Sequence, residues 1–191
     1  MKARTAKTNT LRIIAGEWRN RKLSFPDAPG LRPTTDRIRE TVFNWLQHYV
    51  AGAHCLDLFA GSGAMGLEAL SRGAAHVDFV ETSLAAKKQL NDHLTTLKTS
   101  DGQVWHTDAL SYLHQCKTAY DVVFLDPPYD ARLLEASIKT LLELHLLKPD
   151  ARIFLEDNQP LQALCEQSGL TLLKDKKAGN VYYGLAINVI A

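Results

Sequence analysis

Paired cysteines are missing from this chain. It has three, Cys55, Cys116 and Cys165, an odd number, far apart and without a CxxC pair. That argues against a disulfide framework and points to reduced thiols in a cytoplasmic protein. The seven histidines are scattered, with no two at ligand spacing, so no metal centre is expected. No apolar run approaches the roughly 20 residues of a membrane-spanning helix. The opening MKARTAKTNT is basic but lacks the apolar stretch of a signal peptide, and strand-like sequence starts at Leu11. Internal repeats and low-complexity tracts are also absent.

What is present is an ordinary globular composition. The 191 residues are 46% hydrophobic and 23% charged, enough for one full domain and a small appendage. The net charge of +1 hides an asymmetry. Residues 1–50 carry ten Lys/Arg against four Asp/Glu, and residues 51–191 carry twelve against seventeen. The basic part is interleaved with Trp18, Phe25 and Pro33, which favours a nucleic-acid partner over a plain solvated tail.

Leu11–Ala15 and Trp18–Leu23 read as a strand pair around Gly16, followed by the Pro/Gly loop Ser24–Asp36. Thr35 or Asp36 caps a helix with Ile38, Val42, Trp45, Leu46 and Tyr49 at helical spacing, ended by Gly52. From His54 the runs CLDLF, HVDFVE, QVWH, YDVVFLD and RIFLE alternate with expected helices at Ala64–Arg72, Leu84–Leu97, Ala109–Gln115, Leu133–Leu146 and Leu161–Gln167. Such alternation predicts a doubly wound parallel sheet. Leu170–Lys174 and Val181–Val189, with Gly179-Asn180 between them, predict a closing antiparallel hairpin.

The stretch DLFAGSGAMG (Asp57–Gly66) fits G-x-G-x-x-G, the dinucleotide fingerprint, with Glu81 twenty positions after Gly61. In a dinucleotide site the helix N-terminus faces a pyrophosphate. Asp57, just ahead of the loop, works against that anion. It suits the ammonium and sulfonium of S-adenosylmethionine instead. Glu81 can accept from ribose hydroxyls with either ligand. Asp108 accepts from an adenine amine or caps the Ala109 helix, and the sequence leaves both open. Gly66 is expected to permit helix–sheet packing and Met65 to lie in the core. Asp57, Glu81, Asp108 and Asp126 each fall at or near the carboxyl end of an expected strand, where ligands of such sheets bind.

YDVVFLDPPYD places Asp126-Pro127-Pro128-Tyr129 straight after a buried strand. Two prolines fix φ near −65° and remove two N–H donors, leaving a stiff turn with the Asp126 carboxylate and Pro127 carbonyl as acceptors. Two acceptors on one exocyclic amine favour a pyramidal nitrogen with its lone pair aimed at an electrophile. Tyr129 offers a ring for an unstacked base.

These motifs resemble those of class I S-adenosylmethionine-dependent methyltransferases acting on amino groups. RIIAGEWRNRKLSFPDAPGLRPTTDRIRETVFNWL resembles the N-terminal segment of RsmD-type 16S ribosomal RNA (guanine-N2) methyltransferases. The resemblance runs from Leu11 to about Tyr183. It implies a seven-stranded, mostly parallel Rossmann-like α/β domain over 51–191, with a small basic extension over 1–50. It implies cofactor contacts at Asp57, Phe59, Gly61, Gly63, Glu81, Thr82, Asp108, Ala109 and Asp126, and catalysis around Asp126, Pro127 and Tyr129. Arg19, Arg21, Arg32, Arg37 and Arg39 become RNA candidates. Arg32, Thr34, Arg37 and Arg39 lie in a segment expected near cofactor and RNA alike. A solvated helix face remains the alternative for Arg37 and Arg39, and packing for Phe43 and Trp45.

The implied reaction converts S-adenosylmethionine to S-adenosylhomocysteine. The implied substrate is 16S ribosomal RNA in the small subunit, at guanine 966, beside ribosomal proteins, with the protein acting as a monomer. DPPY alone is shared with adenine-N6 and cytosine-N4 DNA enzymes, so a DNA amino-methyltransferase stays an alternative. So does an assembly factor that binds RNA without transfer. Two places depart from the family pattern: Thr82-Ser83 after Glu81, and the less basic ending GNVYYGLAINV.

Overall fold

The computed structural model describes residues 8–26, 35–128 and 131–188. The basic N-terminal part forms a two-stranded antiparallel sheet, β1 (Thr8–Arg12) with β2 (Lys22–Pro26), and then helix α1 (Asp36–Trp45). The strands are shifted outward from the expected Leu11–Ala15 and Trp18–Leu23, sharing only Leu11–Arg12 and Lys22–Leu23 with them, because the connection spends its hydrogen bonds elsewhere. The Glu17 and Trp18 N–H groups donate to the Ser71 carbonyl and Oγ, and Ser71 Oγ donates to the Ala15 carbonyl. At Gly16 (φ +83°) a Cβ would stand 1.8 Å from the Ser71 carbonyl oxygen, so only glycine fits this approach. Thr35 is the N-cap of α1, its hydroxyl accepting from the Ile38 N–H. The helix stops at Trp45, short of the expected reach to Gly52, and Leu46–Tyr49 continues it as a turn.

The remaining chain alternates strand and helix: β3 (His54–Asp57), α2 (Ala64–Ser71), β4 (His76–Glu81), α3 (Leu84–Leu97), β5 (Gly102–His106), α4 (Ala109–Gln115), β6 (Tyr120–Leu125), α5 (Ala131–Glu143), β7 (Leu147–Asp157), α6 (Leu161–Gln167), β8 (Thr171–Ala178) and β9 (Val181–Ile187). The bounds of α3, α4 and α6 are those read from the sequence. Helix α5 starts and ends earlier than the expected Leu133–Leu146. His145 turns to φ +53° and the Leu146 N–H returns to the Leu141 carbonyl, which ends the helix and frees Leu146 to enter the core.

The strands form one sheet of seven, ordered β5-β4-β3-β6-β7-β9-β8. The first five are parallel, and β9 inserts antiparallel between β7 and β8. Gly179-Asn180 makes the closing turn, as its sequence predicted. One apolar core lies under α2 and α3 and takes in Leu11, Ile13, Trp18, Leu23 and Phe25 together with Val42, Phe43 and Leu46 of α1. The other lies under α4, α5 and α6. The order reverses between β3 and β6, so their carboxyl ends flank the crevice where ligands of such sheets bind.

Candidate active site

Strand β3 delivers Asp57 to that crevice, 4% exposed. Its Oδ2 accepts from the Gly66 N–H at 2.9 Å. Burial pushes the carboxyl up to about 7; the Gly66 N–H opposes the shift, and the charges of Asp126 and Glu81 add to it. A carboxylate so placed is stabilised by a cation and would repel a pyrophosphate. The first half of the fingerprint follows from backbone needs: Gly63 is the N-cap of α2 at φ +77°. Its last glycine follows from packing, since a Cβ on Gly66 would sit 2.2 Å from Cε1 of Phe79 in β4.

Glu81 ends β4. Its Oε2 accepts from the Gly61 N–H at 2.8 Å and its Oε1 from the Ser83 N–H at 2.6 Å, with the exposed Thr82 hydroxyl at 3.4 Å. The glycine loop is thereby tied to the neighbouring strand end. Asp108 is exposed and caps α4, its carboxylate accepting from the Ser111 N–H, which holds its pKa below the usual value. Ala109 behind it is buried. Phe59 is half-buried against the second core. Asp126 follows β6 half-buried, and Pro127 is buried next to it. Asp57, Glu81 and Asp126 are therefore brought together across the crevice, close enough for both other acids to act on Asp57. Tyr129, Arg32, Pro33 and Thr34 lie outside the described residues.

One RNA candidate needs correction. Arg39 has no exposed surface at all, so it cannot meet a phosphate in solution. Its Nη2 donates to the Asp36 carboxylate at 2.6 Å and to the Arg12 carbonyl at 2.7 Å, bolting α1 to the end of β1. Burial lowers its pKa, against the opposing pull of Asp36 and Glu68. The residue sits on the inward face of α1 with Ile38, Val42 and Phe43, and a basic residue at an inward position reads as surface until the packing is known. Arg19, Arg21 and Arg37 are exposed. Phe43 is fully buried, and Trp45 stacks on Tyr183 at 5.8 Å, so both take the packing role. Lys174, Lys176 and Lys177 stand exposed along the β8 edge.

The sequence also gave little hint of Glu68, fully buried in α2. Its carboxylate accepts from the Ile14 and Ala15 N–H groups at 2.8 and 3.0 Å and from Arg72 Nε at 2.8 Å. Glu156 at the end of β7 was legible in RIFLE, a fifth acid at a strand end, although nothing in the sequence singled it out. A cavity of about 800 Å³ lies elsewhere, along β5 and α4 and down to His54 and His76 at the amino ends of β3 and β4. Its buried acid, Asp78, is satisfied internally by Trp105 Nε1 and the Tyr120 hydroxyl. The strand-end crevice is the better active-site candidate, because its acids converge on a ligand position. Among the described residues no group of acids, histidines or cysteines could hold a metal, and no helix is long and apolar enough to cross a membrane.

The sheet order, the antiparallel β9 and the acid-lined strand ends define a class I methyltransferase fold. Comparison with known proteins narrows the class. A family model described as Conserved hypothetical protein 95 matches residues 11–187. Ribosomal RNA small subunit methyltransferase D of Escherichia coli K12 is 46% identical over 175 residues, covering 92% of this chain and 88% of that protein. The protein of the same name from Haemophilus influenzae is 46% identical over 182 residues, covering 93% and 94%. A solved Escherichia coli structure described as a methyltransferase, yhhF, superposes with TM-score 0.85 at 42% identity, covering 94% of this chain and 98% of that one. The chain belongs to the family of ribosomal RNA small subunit methyltransferase D.

Proposed function

We propose that this protein transfers a methyl group from S-adenosylmethionine to the N2 amine of one guanine in small-subunit ribosomal RNA, guanine 966, in an assembled or assembling particle. The observation that carries the reading is the pair Asp57 and Asp126 at the ends of adjacent strands, in a chain 46% identical to proteins named for ribosomal RNA small-subunit methylation. The crevice fits this cofactor because its buried acid calls for a cation. When bound, the cofactor supplies an electrophilic methyl on a sulfonium.

The protein's own groups do the rest. Asp57 holds the cationic amino-acid end, and Glu81 and Thr82 take the ribose. Asp108 and Ala109 border the adenine. Asp126 and the Pro127 carbonyl accept from the two N–H bonds of the target amine. That turns its lone pair toward the methyl and stabilises the positive charge that develops on nitrogen. Tyr129 stacks on the flipped base. The exposed Arg19, Arg21 and Arg37 supply phosphate contacts, and the same segment carries Arg32. The protein works as a cytoplasmic monomer on a particle whose ribosomal proteins border the target.

Mapping the methylated nucleotide after incubation with unmodified small subunits tests the assignment. A single N2-methylguanine in the ribosomal RNA is expected. Transfer to duplex DNA alone would favour a DNA amino-methyltransferase, and no transfer at all an RNA-binding assembly factor.

A pH effect follows from Asp57. Its ionised form binds the cation, and with a pKa of about 7 that form is scarce at pH 6 and dominant at pH 7.5. Affinity for S-adenosylmethionine is expected to rise roughly five- to tenfold over this interval. The bare protein behaves oppositely: a raised carboxylate pKa withdraws stability as pH climbs through about 7. Calorimetric titration checks the first effect, and a flat profile for the parent protein, identical to that of Asp57→Asn, would rule out Asp57 as the cation's partner.

A further inference from the structure

The last residue but one of β7, Glu156, carries a carboxylate to which the proposed chemistry assigns no role. Glu156 is only 7% exposed. In the parallel register Val123, Phe124 and Leu125 pair with Ile153, Phe154 and Leu155. One step further along both strands brings Asp126 beside Glu156, at the roughly 5 Å spacing of neighbouring strands. Side chains alternate along a strand, and Phe124 and Phe154 both enter the first core. Asp126 and Glu156, two residues further on, therefore start from that same face. Asp57 lies on it too, facing the Gly66 N–H of α2.

Three acids thus form a row across β3, β6 and β7. On the far side Glu156 pairs with Tyr183 of β9, which is stacked on Trp45. The next acid, Asp157, is spent on its own turn, accepting from the Asn158 and Gln159 N–H groups. The row has a direction: cofactor cation at Asp57, amine at Asp126, and the next edge atom of the base toward Glu156.

That edge atom distinguishes the bases. Beside its exocyclic amine, guanine carries N1–H, a donor. Adenine and cytosine carry a bare ring nitrogen there, an acceptor. A carboxylate oxygen accepts a hydrogen bond from the first and repels the lone pair of the second. We propose that Glu156 accepts from N1–H of the target and is the residue that selects guanine. This rests on the guanine-N2 reading above and supplies what the DPPY turn lacks, since that turn only holds an amine.

The test uses small subunits reconstituted with guanosine or 2-aminopurine at the mapped nucleotide. 2-Aminopurine keeps the amine but replaces N1–H by an acceptor. The parent protein is expected to methylate guanosine roughly 100-fold faster or more. Glu156→Gln offers an N–H as well as a carbonyl, and should shrink that ratio to within roughly tenfold, with S-adenosylhomocysteine binding retained. Comparing ratios cancels the intrinsic reactivity of the two amines. Equal rates with the parent protein would overturn the proposal whether or not the variant folds. An unchanged ratio in a folded Glu156→Gln would overturn it as well, with the guanine-N2 reading left standing. Absence of transfer to guanosine is a separate outcome, and it sinks that reading together with this one.

Discussion

Asp126→Ala is expected to slow methyl transfer to small subunits by about 10²–10³-fold while S-adenosylhomocysteine still binds. The reason lies in where the charge develops. A planar exocyclic amine becomes a cationic, tetrahedral nitrogen as the methyl arrives. In the proposed reaction the Asp126 carboxylate and the Pro127 carbonyl, on the stiff turn after β6, accept from the amine, so they need little reorganisation. Removing the carboxylate leaves one acceptor and withdraws the negative charge from the developing cation. Asp126→Asn should lose less than Ala, because its amide carbonyl still accepts. Radiolabelled methyl transfer checks the rate, and calorimetry checks the cofactor side. Equal rates for the parent and Asp126→Ala would remove Asp126 from the chemistry.

Glu68→Ala is expected to destabilise the fold by about 3–5 kcal/mol. Its carboxylate is wholly buried and accepts from the Ile14 and Ala15 N–H groups and from Arg72. Arg72 in turn lies over the Phe43 ring at 4.9 Å, so the same contact links the N-terminal segment, α2 and α1. Alanine would leave two backbone donors and a partly buried guanidinium without their acceptor. Glu68→Gln keeps part of the acceptor and should cost less, about 1–3 kcal/mol. Urea unfolding gives the stability. Limited trypsin digestion gives the location: Arg19 and Arg21 should become the early cleavage sites in Glu68→Ala. Loss of stability without faster cleavage there would mean that Glu68 does not anchor this segment.

The two effects separate cleanly. In the proposed reaction Asp126 acts on a transition state, whereas Glu68 acts on the attachment of the segment that carries Arg19 and Arg21. A defect in RNA methylation from Glu68→Ala should therefore be partly rescued at lower temperature, whereas that from Asp126→Ala should not.

The sequence by itself determined the winding of the sheet and which acids stand at its strand ends. Buried strands and amphipathic helices differ in period, so α3, α4 and α6 could be bounded from apolar spacing alone. Acids placed after apolar runs fall at carboxyl ends wherever the sheet is parallel, so Asp57, Glu81 and Asp126 could be named in advance. Local signals also narrowed the α1 cap to Thr35 or Asp36 and placed the Gly179-Asn180 turn, because both depend on residues adjacent in the chain.

Only the tertiary structure decided what depends on distant partners. Arg39 looks like a solvated basic residue, yet it is buried on the inward face of α1, its guanidinium reaching the Arg12 carbonyl and the half-exposed Asp36 carboxylate. The N-terminal strands shift to Thr8–Arg12 and Lys22–Pro26 because Ser71 and Glu68, more than fifty positions later, claim the backbone between them. Glu156 stands out only through register: β6 and β7 pair as far as Leu125 and Leu155, the residues just before Asp126 and Glu156. Periodicity and capping are local and survive in a sequence. Desolvation, long-range hydrogen bonding and strand register arise only when the chain closes on itself.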